Sequence, residues 1–148
     1  MNPNLIKLTT TIHYEASRSL DVNDGDPGDF ILPVDGTIHG QPEDDELAAL
    51  KIQLGELKLY RIQVGSAYDE GVSLSTVLDT YQQTMDAGCV ILNDSFDDFS
   101  PWVRQRYDDA VPWNDLLLLD RLTLDPAVRG QRLGLAVLYR AIRDWSGG

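Results

Sequence analysis

The amino-acid sequence predicts an α/β fold built as one domain. Strand-like segments occur at residues 6–15 and 50–64, and a nearly continuous apolar run at 114–125 is typical of a strand that is covered on both faces. A helix-patterned stretch follows that run, so a strand, a turn and a helix succeed one another. The 148 residues match one ordinary domain, which buries roughly two thirds of its unfolded surface. We therefore expect a single domain over residues 1–148.

The first part of the chain predicts two strands separated by a loop. Residues 6–15 begin with alternating apolar and polar residues and are rich in Thr and Ile, which favours a strand. Residues 21–29 break all periodicity, and a glycine stands where a calcium-binding EF-hand loop needs an acid, so we expect a solvated loop there. Residues 30–40 predict the second strand. The acidic run at 43–46 predicts the first turn of a short helix, where negative charge is favoured.

The middle of the chain predicts a long strand and then a helix. Residues 50–64 alternate on both sides of Gly55, and this glycine indicates either a hairpin turn or a bulge. Residues 74–88 carry apolar side chains at helical spacing, with Ser73 as the cap and Gly88 as the stop. We expect one amphipathic helix over that segment.

The last part of the chain predicts a broken helix, a central strand and a final helix. Residues 94–111 mix aromatic and charged side chains around a proline, after a Ser-x-x-Asp cap formed by Ser95 and Asp98. The apolar run 114–125 is expected at the centre of the sheet, and Pro126 ends it. The helix that follows has a core-facing stripe predicted at Gly134, Leu138, Ala141, Ile142 and Trp145.

Charge and composition exclude several classes of protein. The net charge is -12, which argues against non-specific nucleic-acid binding because phosphates are held by clustered Lys and Arg. The sequence has neither a run long enough to span a membrane nor a signal peptide, so we expect a cytoplasmic protein without membrane attachment. Cys89 is the single cysteine, which excludes an internal disulfide, and its apolar neighbours favour a small buried side chain over a reactive thiol.

A basic region surrounds the start of the last helix. Residues 121–148 hold five arginines against two aspartates in an otherwise acidic chain. The helix opens inside AVRGQRLG without a Ser, Thr, Asp or Asn that would accept its free backbone N–H groups. Those donors and the positive end of the helix dipole, with Arg129 and Arg132 beside them, predict a binding site for an anion, best filled by a phosphate-bearing cofactor. Gly130 and Gly134 are expected to allow close backbone approach there. The alternative is a helix start that binds nothing.

The phosphate motif is neither a P-loop nor a dinucleotide-binding turn, because the Gly-Lys-Ser/Thr and G-x-G-x-x-G patterns are absent. It resembles the Pro-x-x-Arg-Gly-x-Gly-x-Gly/Ala turn of the GNAT superfamily of acetyl-CoA-dependent N-acetyltransferases. The matching residues are Pro126, Arg129, Gly130, Gln131, Arg132, Leu133 and Gly134. Arg132 stands where the family usually has a glycine, and we expect ordinary helical dihedral angles there. The resemblance implies a mixed sheet with helices on both faces.

The resemblance also implies an activity and a set of site residues. The activity is transfer of an acetyl group from acetyl-CoA to an amine of a small molecule or protein. Backbone N–H groups from Gly130 to Leu135 would hold the pyrophosphate, and the strand end would pair with the pantetheine arm. The implied cofactor-binding residues are Leu122, Thr123, Leu124, Arg129, Gly130, Gln131, Arg132, Leu133, Gly134 and Leu135.

Asp120 is the best candidate for the base that deprotonates the amine. It is the one acid inside an apolar strand, where desolvation would make the carboxylate a stronger base. Pairing with a neighbouring arginine explains a buried Asp equally well. His13 and His39 are weaker candidates, since surface positions suffice for both. No metal site is expected.

The chain stops where the family continues with further strands and a helix, so those C-terminal elements are expected to be missing. A fragment, a short form completed by a partner and an anion cradle without an enzyme all remain open. The strand 116–125 would then have an open edge, and a homo-oligomer could form through it. The alternative function is a non-catalytic module that binds CoA or another anion and interacts with a protein partner.

Overall fold

The computed structural model describes residues 8–16, 26–43, 50–107 and 115–146. The expected loop at 21–29 lies largely outside them, as does the expected helical turn at 43–46. The strands are β1 (Leu8–Ala16), β2 (Ile31–Pro42), β3 (Ile52–Ile62) and β4 (Leu116–Leu124). The helices are α1 (Val64–Asp69), α2 (Leu74–Leu78), α3 (Gln82–Ile91), α4 (Pro101–Tyr107) and α5 (Leu133–Trp145).

The four strands form one sheet in the order β1-β2-β3-β4, and each neighbouring pair is antiparallel. The fold is therefore α/β, as expected. The expected parallel pairing of a mixed sheet does not occur among the described residues. β4 was expected at the centre of the sheet, yet in the described part of the chain it lies at an edge, and its apolar side chains are only half-buried. A nearly continuous apolar run thus reflects helices packed on both faces and does not require a strand on each side.

Two β-bulges bend the sheet. The pairing of β2 with β3 shifts register beside Gly55. Of the hairpin turn and the bulge that the sequence left open at this glycine, the bulge is therefore correct. A second shift separates the pair Lys58/Arg121 from the pair Leu59/Leu119, which leaves Asp120 as the extra residue of β4. Asp120 therefore lies on a bulge.

Helices cover both faces of the sheet and enclose two apolar cores. Helices α1 to α4 pack with the ends of β2 and β3 around residues that include Ile31, Tyr60 and Ile62. Helix α5 packs on the opposite face, where Val137 and Ala141 meet side chains of β2 and β3. The alternation of β4 follows the same division: Leu117, Leu119, Leu122 and Leu124 face α5, whereas Leu116 and Leu118 face the other core.

The segment predicted as one helix over 74–88 is two helices. Ser73 caps α2 as expected, since its hydroxyl accepts from the N–H of Thr76 at 3.3 Å. The helix is interrupted between α2 and α3, where the buried hydroxyl of Thr84 donates to the carbonyl oxygen of Leu78 at 2.5 Å. A continuous helix would not make this bond. Gly88 is not the stop. It lies inside α3, buried against Leu78 where the two short helices cross.

Three smaller expectations also need correction. Ser95 and Asp98 do not cap a helix, because Asp98 instead pairs with the guanidinium of Arg104, which lowers the pKa of that carboxyl. Helix α4 begins at Pro101, consistent with a proline in a first turn. Cys89 is exposed on α3, so the expectation of a buried side chain is wrong. Within the described residues, none of the helices is long and apolar enough to cross a membrane.

Candidate functional site

The turn between β4 and α5 is built by one cap and two left-handed residues. The Asp125 carboxylate accepts from the N–H of Ala127 at 2.8 Å and caps a short 3-10 turn over Pro126–Val128. Gly130 then has φ of 77° and Arg132 has φ of 61°. Ordinary helical dihedral angles were expected for Arg132, and this is wrong, because the chain must reverse direction before α5 begins. A left-handed residue that is not glycine costs roughly 1 to 2 kcal/mol.

The N-terminus of α5 is open. No side chain caps it, as the sequence predicted, since Arg132 occupies the cap position. The first intrahelical bond runs from the N–H of Ala136 to the carbonyl of Arg132 at 3.1 Å. Within the described residues, Gln131 closes a turn over 129–130, whereas the backbone N–H groups from Arg132 to Leu135 donate to no carbonyl or carboxylate of the chain. These donors and the helix dipole favour an anion at this end.

The two arginines of the turn differ in how they are held. Arg129 donates from Nε to the carbonyl oxygen of Leu124 at 2.9 Å, so its guanidinium is fixed beside the last residue of β4. Arg132 is exposed and forms no ion pair with another described residue. One fixed and one free guanidinium therefore stand beside the open N–H groups.

Gly134 lies where α5 packs on β4. A Cβ atom at this position would lie 3.6 Å from Cδ1 of Leu124 and 3.8 Å from Cδ2 of Leu122. Both distances are ordinary van der Waals contacts. The sequence argument that Gly134 is needed for close backbone approach is thus not supported, whereas Gly130 is required for its positive φ.

In the described part of the chain, one edge of β4 has no strand partner. This free edge exposes only some of the backbone groups that were expected to pair with a pantetheine arm. The N–H of Asp125 donates to the carbonyl of Leu54 at 2.7 Å, so it points into the sheet. Because N–H and C=O groups alternate along an antiparallel strand, those of Leu122 and Leu124 point outward and those of Thr123 point inward. The carbonyl of Leu124 already accepts from Arg129. An extended ligand at this edge would therefore pair chiefly with Leu122.

Asp120 is exposed, so the premise that it is a buried acid is wrong. It was expected inside an apolar strand, but the bulge turns both Asp120 and Arg121 to the face of the sheet opposite α5. On that face the Tyr60 ring lies 5.3 Å from the ring of Tyr81, and Nζ of Lys58 lies 5.5 Å from the Tyr60 centroid. Burial raises the pKa of the Tyr60 hydroxyl, Lys58 opposes the change, and the charge of Asp120 adds to it.

A separate cleft lies among the helices of the other core. Its volume is about 720 Å³, and it runs between α1, the start of α2 and the loop that follows α3. Sequence reasoning did not find it, because its walls come from segments far apart in the chain. The lining residues include Val64, Tyr68, Leu74, Phe96, Phe99 and Arg104.

The remaining polar candidates do not assemble into a second site. His13 is exposed, whereas His39 is half-buried and its Nδ1 atom has no hydrogen-bond partner among the described residues. Desolvation lowers the pKa of His39, and the nearby charges of Lys51 and His13 lower it further. Among the described residues, no group of three or more His, Cys, Asp or Glu side chains is arranged to hold a metal ion. No family model, curated protein or solved structure matches this chain.

Proposed function

We propose that this protein is an N-acetyltransferase of GNAT type that binds acetyl-CoA at the start of α5 and transfers the acetyl group to an amine. One observation carries the proposal: the uncapped N-terminus of α5 lies beside the free edge of β4. The anion site and the outward backbone groups of Leu122 are then both available to one ligand, a phosphate group joined to an extended amide-containing arm.

Different residues would bind the different parts of the cofactor. N–H groups from Arg132 to Leu135 and the Arg132 guanidinium would bind the pyrophosphate. Arg129, fixed on the carbonyl of Leu124, would place its charge between the phosphates and the strand. The pantetheine amides would pair with Leu122, which directs the thioester along β4 toward the bulge at Asp120.

Acetyl transfer to an ammonium group requires loss of a proton from the amine before its nitrogen attacks the thioester carbon. Asp120 is the acid nearest the bulge and stays our candidate for that step, acting as an exposed base. The thiolate leaves as the new amide bond forms, and it takes up a proton. The described proton-carrying groups on that face are Asp120, Tyr60, Lys58 and Tyr81.

Calorimetric titration with acetyl-CoA tests the binding half of the proposal. Arg129→Ala should weaken binding roughly tenfold, because a charge-assisted contact of about 1.5 to 3 kcal/mol is lost and Arg132 offsets part of it. Arg143→Ala is the matched control, since this arginine lies in the last turn of α5. Equal affinities of the parent and Arg129→Ala proteins would contradict the proposal.

A non-catalytic module that binds CoA or another anion is the second candidate, and the exposure of Asp120 favours it. Burial was the reason for assigning Asp120 as the base, and that reason does not hold. The two functions are separated by turnover: only an enzyme releases free CoA from acetyl-CoA faster when amines are supplied. Binding without amine-dependent CoA release, over a panel of small amines and polyamines, would favour the module.

A further inference from the structure

We infer that two copies of this chain pair through β4, antiparallel and about a two-fold axis, in the one register that places Asp120 of each copy opposite Arg121 of the other. The inference goes beyond the proposed function, since it identifies an interaction surface and its occupant. It rests on the bulge of β4, the charges at that bulge and an apolar flank of α5.

The bulge selects the register. Before it, Leu117 and Leu119 face α5; after it, Leu122 and Leu124 face α5. When Asp120 lies opposite Arg121 of the second copy, Leu119 lies opposite Leu122 and both side chains face α5. A shift by one or two residues in either direction would oppose side chains that belong on different faces. Residues opposed across antiparallel strands share a face, so only this register pairs β4 along its length.

The backbone groups agree with that register. Backbone N–H and C=O groups alternate in direction along β3, and those of Tyr60 point toward β4. The backbone groups of its partner Leu118 therefore point into the sheet, and those of Leu119 point outward to the free edge. Leu122 also points outward, as derived from the bond of Asp125. Leu119 and Leu122 of the two copies would therefore exchange N–H···O=C bonds, on both sides of the axis.

The charges at the centre are complementary under the same symmetry. Asp120 and Arg121 are adjacent, exposed and directed to the same face of the sheet. A single charge on an edge strand discourages pairing with a second copy. Two adjacent opposite charges have the reverse effect in an antiparallel pair, because each carboxylate meets a guanidinium of the other copy, and the two-fold axis repeats the contact.

Helix α5 supplies apolar surface next to this edge. One flank of the helix is directed to β1, where the hydroxyl of Tyr14 donates to Asp144 at 3.1 Å. Helical spacing places Leu135, Leu138 and Ile142 on the other flank, above the free edge. Leu135 is 68% exposed and Ile142 is 47% exposed. Pairing of β4 would bring the two flanks together over one face of the joined sheet.

Sedimentation velocity or mass photometry over a range of protein concentrations tests the dimer. The parent chain should form dimers that weaken as salt is raised. Asp120→Arg and Arg121→Asp should each raise the dissociation constant by at least about tenfold, because attraction becomes repulsion at two symmetric sites. The double variant that exchanges both charges should restore the dimer, and circular dichroism confirms that each variant is folded.

Glu15→Arg is the matched control, because it reverses an exposed charge on β1, the strand at the opposite edge. It should leave the dimer unchanged. A monomer at all concentrations, particles that grow beyond two copies, or a failure of the double variant to recover would each overturn the inference.

The dimer and acetyl-CoA would compete for the outward groups of Leu122, and this last step rests on the proposed function. Saturating acetyl-CoA should then shift the protein to a single copy. A dimer that binds acetyl-CoA without dissociating would contradict the register. Because the dimer is first measured without cofactor, its absence leaves the acetyltransferase proposal intact. Acetyl-CoA binding is then measured on the monomeric Arg121→Asp variant, and a failure of that variant to bind contradicts only the proposed function.

Discussion

Arg132 combines a backbone cost with a free positive charge. Its left-handed conformation, with φ of 61°, is one that glycine adopts without penalty. Its guanidinium is nevertheless exposed beside the open N–H groups of α5. A residue kept in an unfavourable conformation at such a point is a reason to look for a ligand there.

Two substitutions of Arg132 separate these properties. Arg132→Gly and Arg132→Ala both remove the guanidinium and should weaken acetyl-CoA binding equally. Only the glycine relieves the left-handed strain, so Arg132→Gly should exceed Arg132→Ala in free energy of unfolding by about 1 kcal/mol. Thermal denaturation compares the stabilities. Equal melting temperatures would mean that the turn relaxes when the side chain is removed.

Tyr14 should make the stability of the fold pH-dependent under alkaline conditions. Burial, followed by the hydrogen bond to Asp144, raises the pKa of Tyr14 from 10.0 to about 12. The folded state favours the neutral phenol. The contribution of Tyr14 to the free energy of unfolding is therefore fully present below about pH 10 and is lost as the pH rises to about 12.

Denaturant unfolding over roughly pH 9 to 12, a range that includes both pKa values of Tyr14, measures this loss of stability. Tyr14→Phe should show a smaller decrease in stability with rising pH than the parent protein. Tyr107→Phe, which changes an exposed tyrosine, is the control and should follow the parent. Identical pH profiles for Tyr14→Phe and the parent would show that Tyr14 ionises in the fold as it does when unfolded.

At the scale of elements, two glycines that look equivalent in the sequence should respond differently to alanine. A Cβ at Gly55 would lie 2.3 Å from the backbone oxygen of Thr123, which cannot move without shifting β4. Gly55→Ala should therefore cost about 1 to 3 kcal/mol or more. Gly134→Ala meets only ordinary contacts and should stabilise α5 by about 0.5 to 1 kcal/mol.

Thermal melts of the two variants test this contrast, each serving as the control for the other. A melting temperature for Gly55→Ala at or above that of the parent would show that the bulge adapts. A large loss for Gly134→Ala would show that α5 packs more tightly on β4 than the distances indicate.

Sequence patterns located most of these elements because alternation and helical spacing depend on local neighbours. The uncapped start of α5 was also predictable, since it follows from the absence of Ser, Thr, Asp and Asn in the turn. The division of 74–88 into α2 and α3 was not, because it depends on where the Thr84 hydroxyl finds its acceptor. The left-handed Arg132 escaped prediction for a similar reason: the direction of the chain after Gly130 is set by packing.

For the whole molecule, the apolar run of β4 predicted that both faces of the strand are covered, but no pattern in the sequence predicted the strand order. Alternation indicates which residues share a face, and the division of β4 between two cores agrees with it. Neighbour relations depend on contacts between distant segments, which no local pattern records. Asp120 was judged buried for this reason: the apolar run around it gave no sign of the bulge or of the free edge.

The contact between β1 and the end of α5 has a consequence for the order in which the molecule folds. Tyr14 and Asp144 are 130 positions apart, and the Tyr14 ring also packs edge-on against Trp145. Closing so long a loop costs conformational entropy before any contact is gained. The helices α1 to α4 lie closer together in the chain and can gather on their face of β2 and β3 first. We therefore expect the contact between β1 and the end of α5 to form late in folding, after the strands and the helices α1 to α4 have assembled.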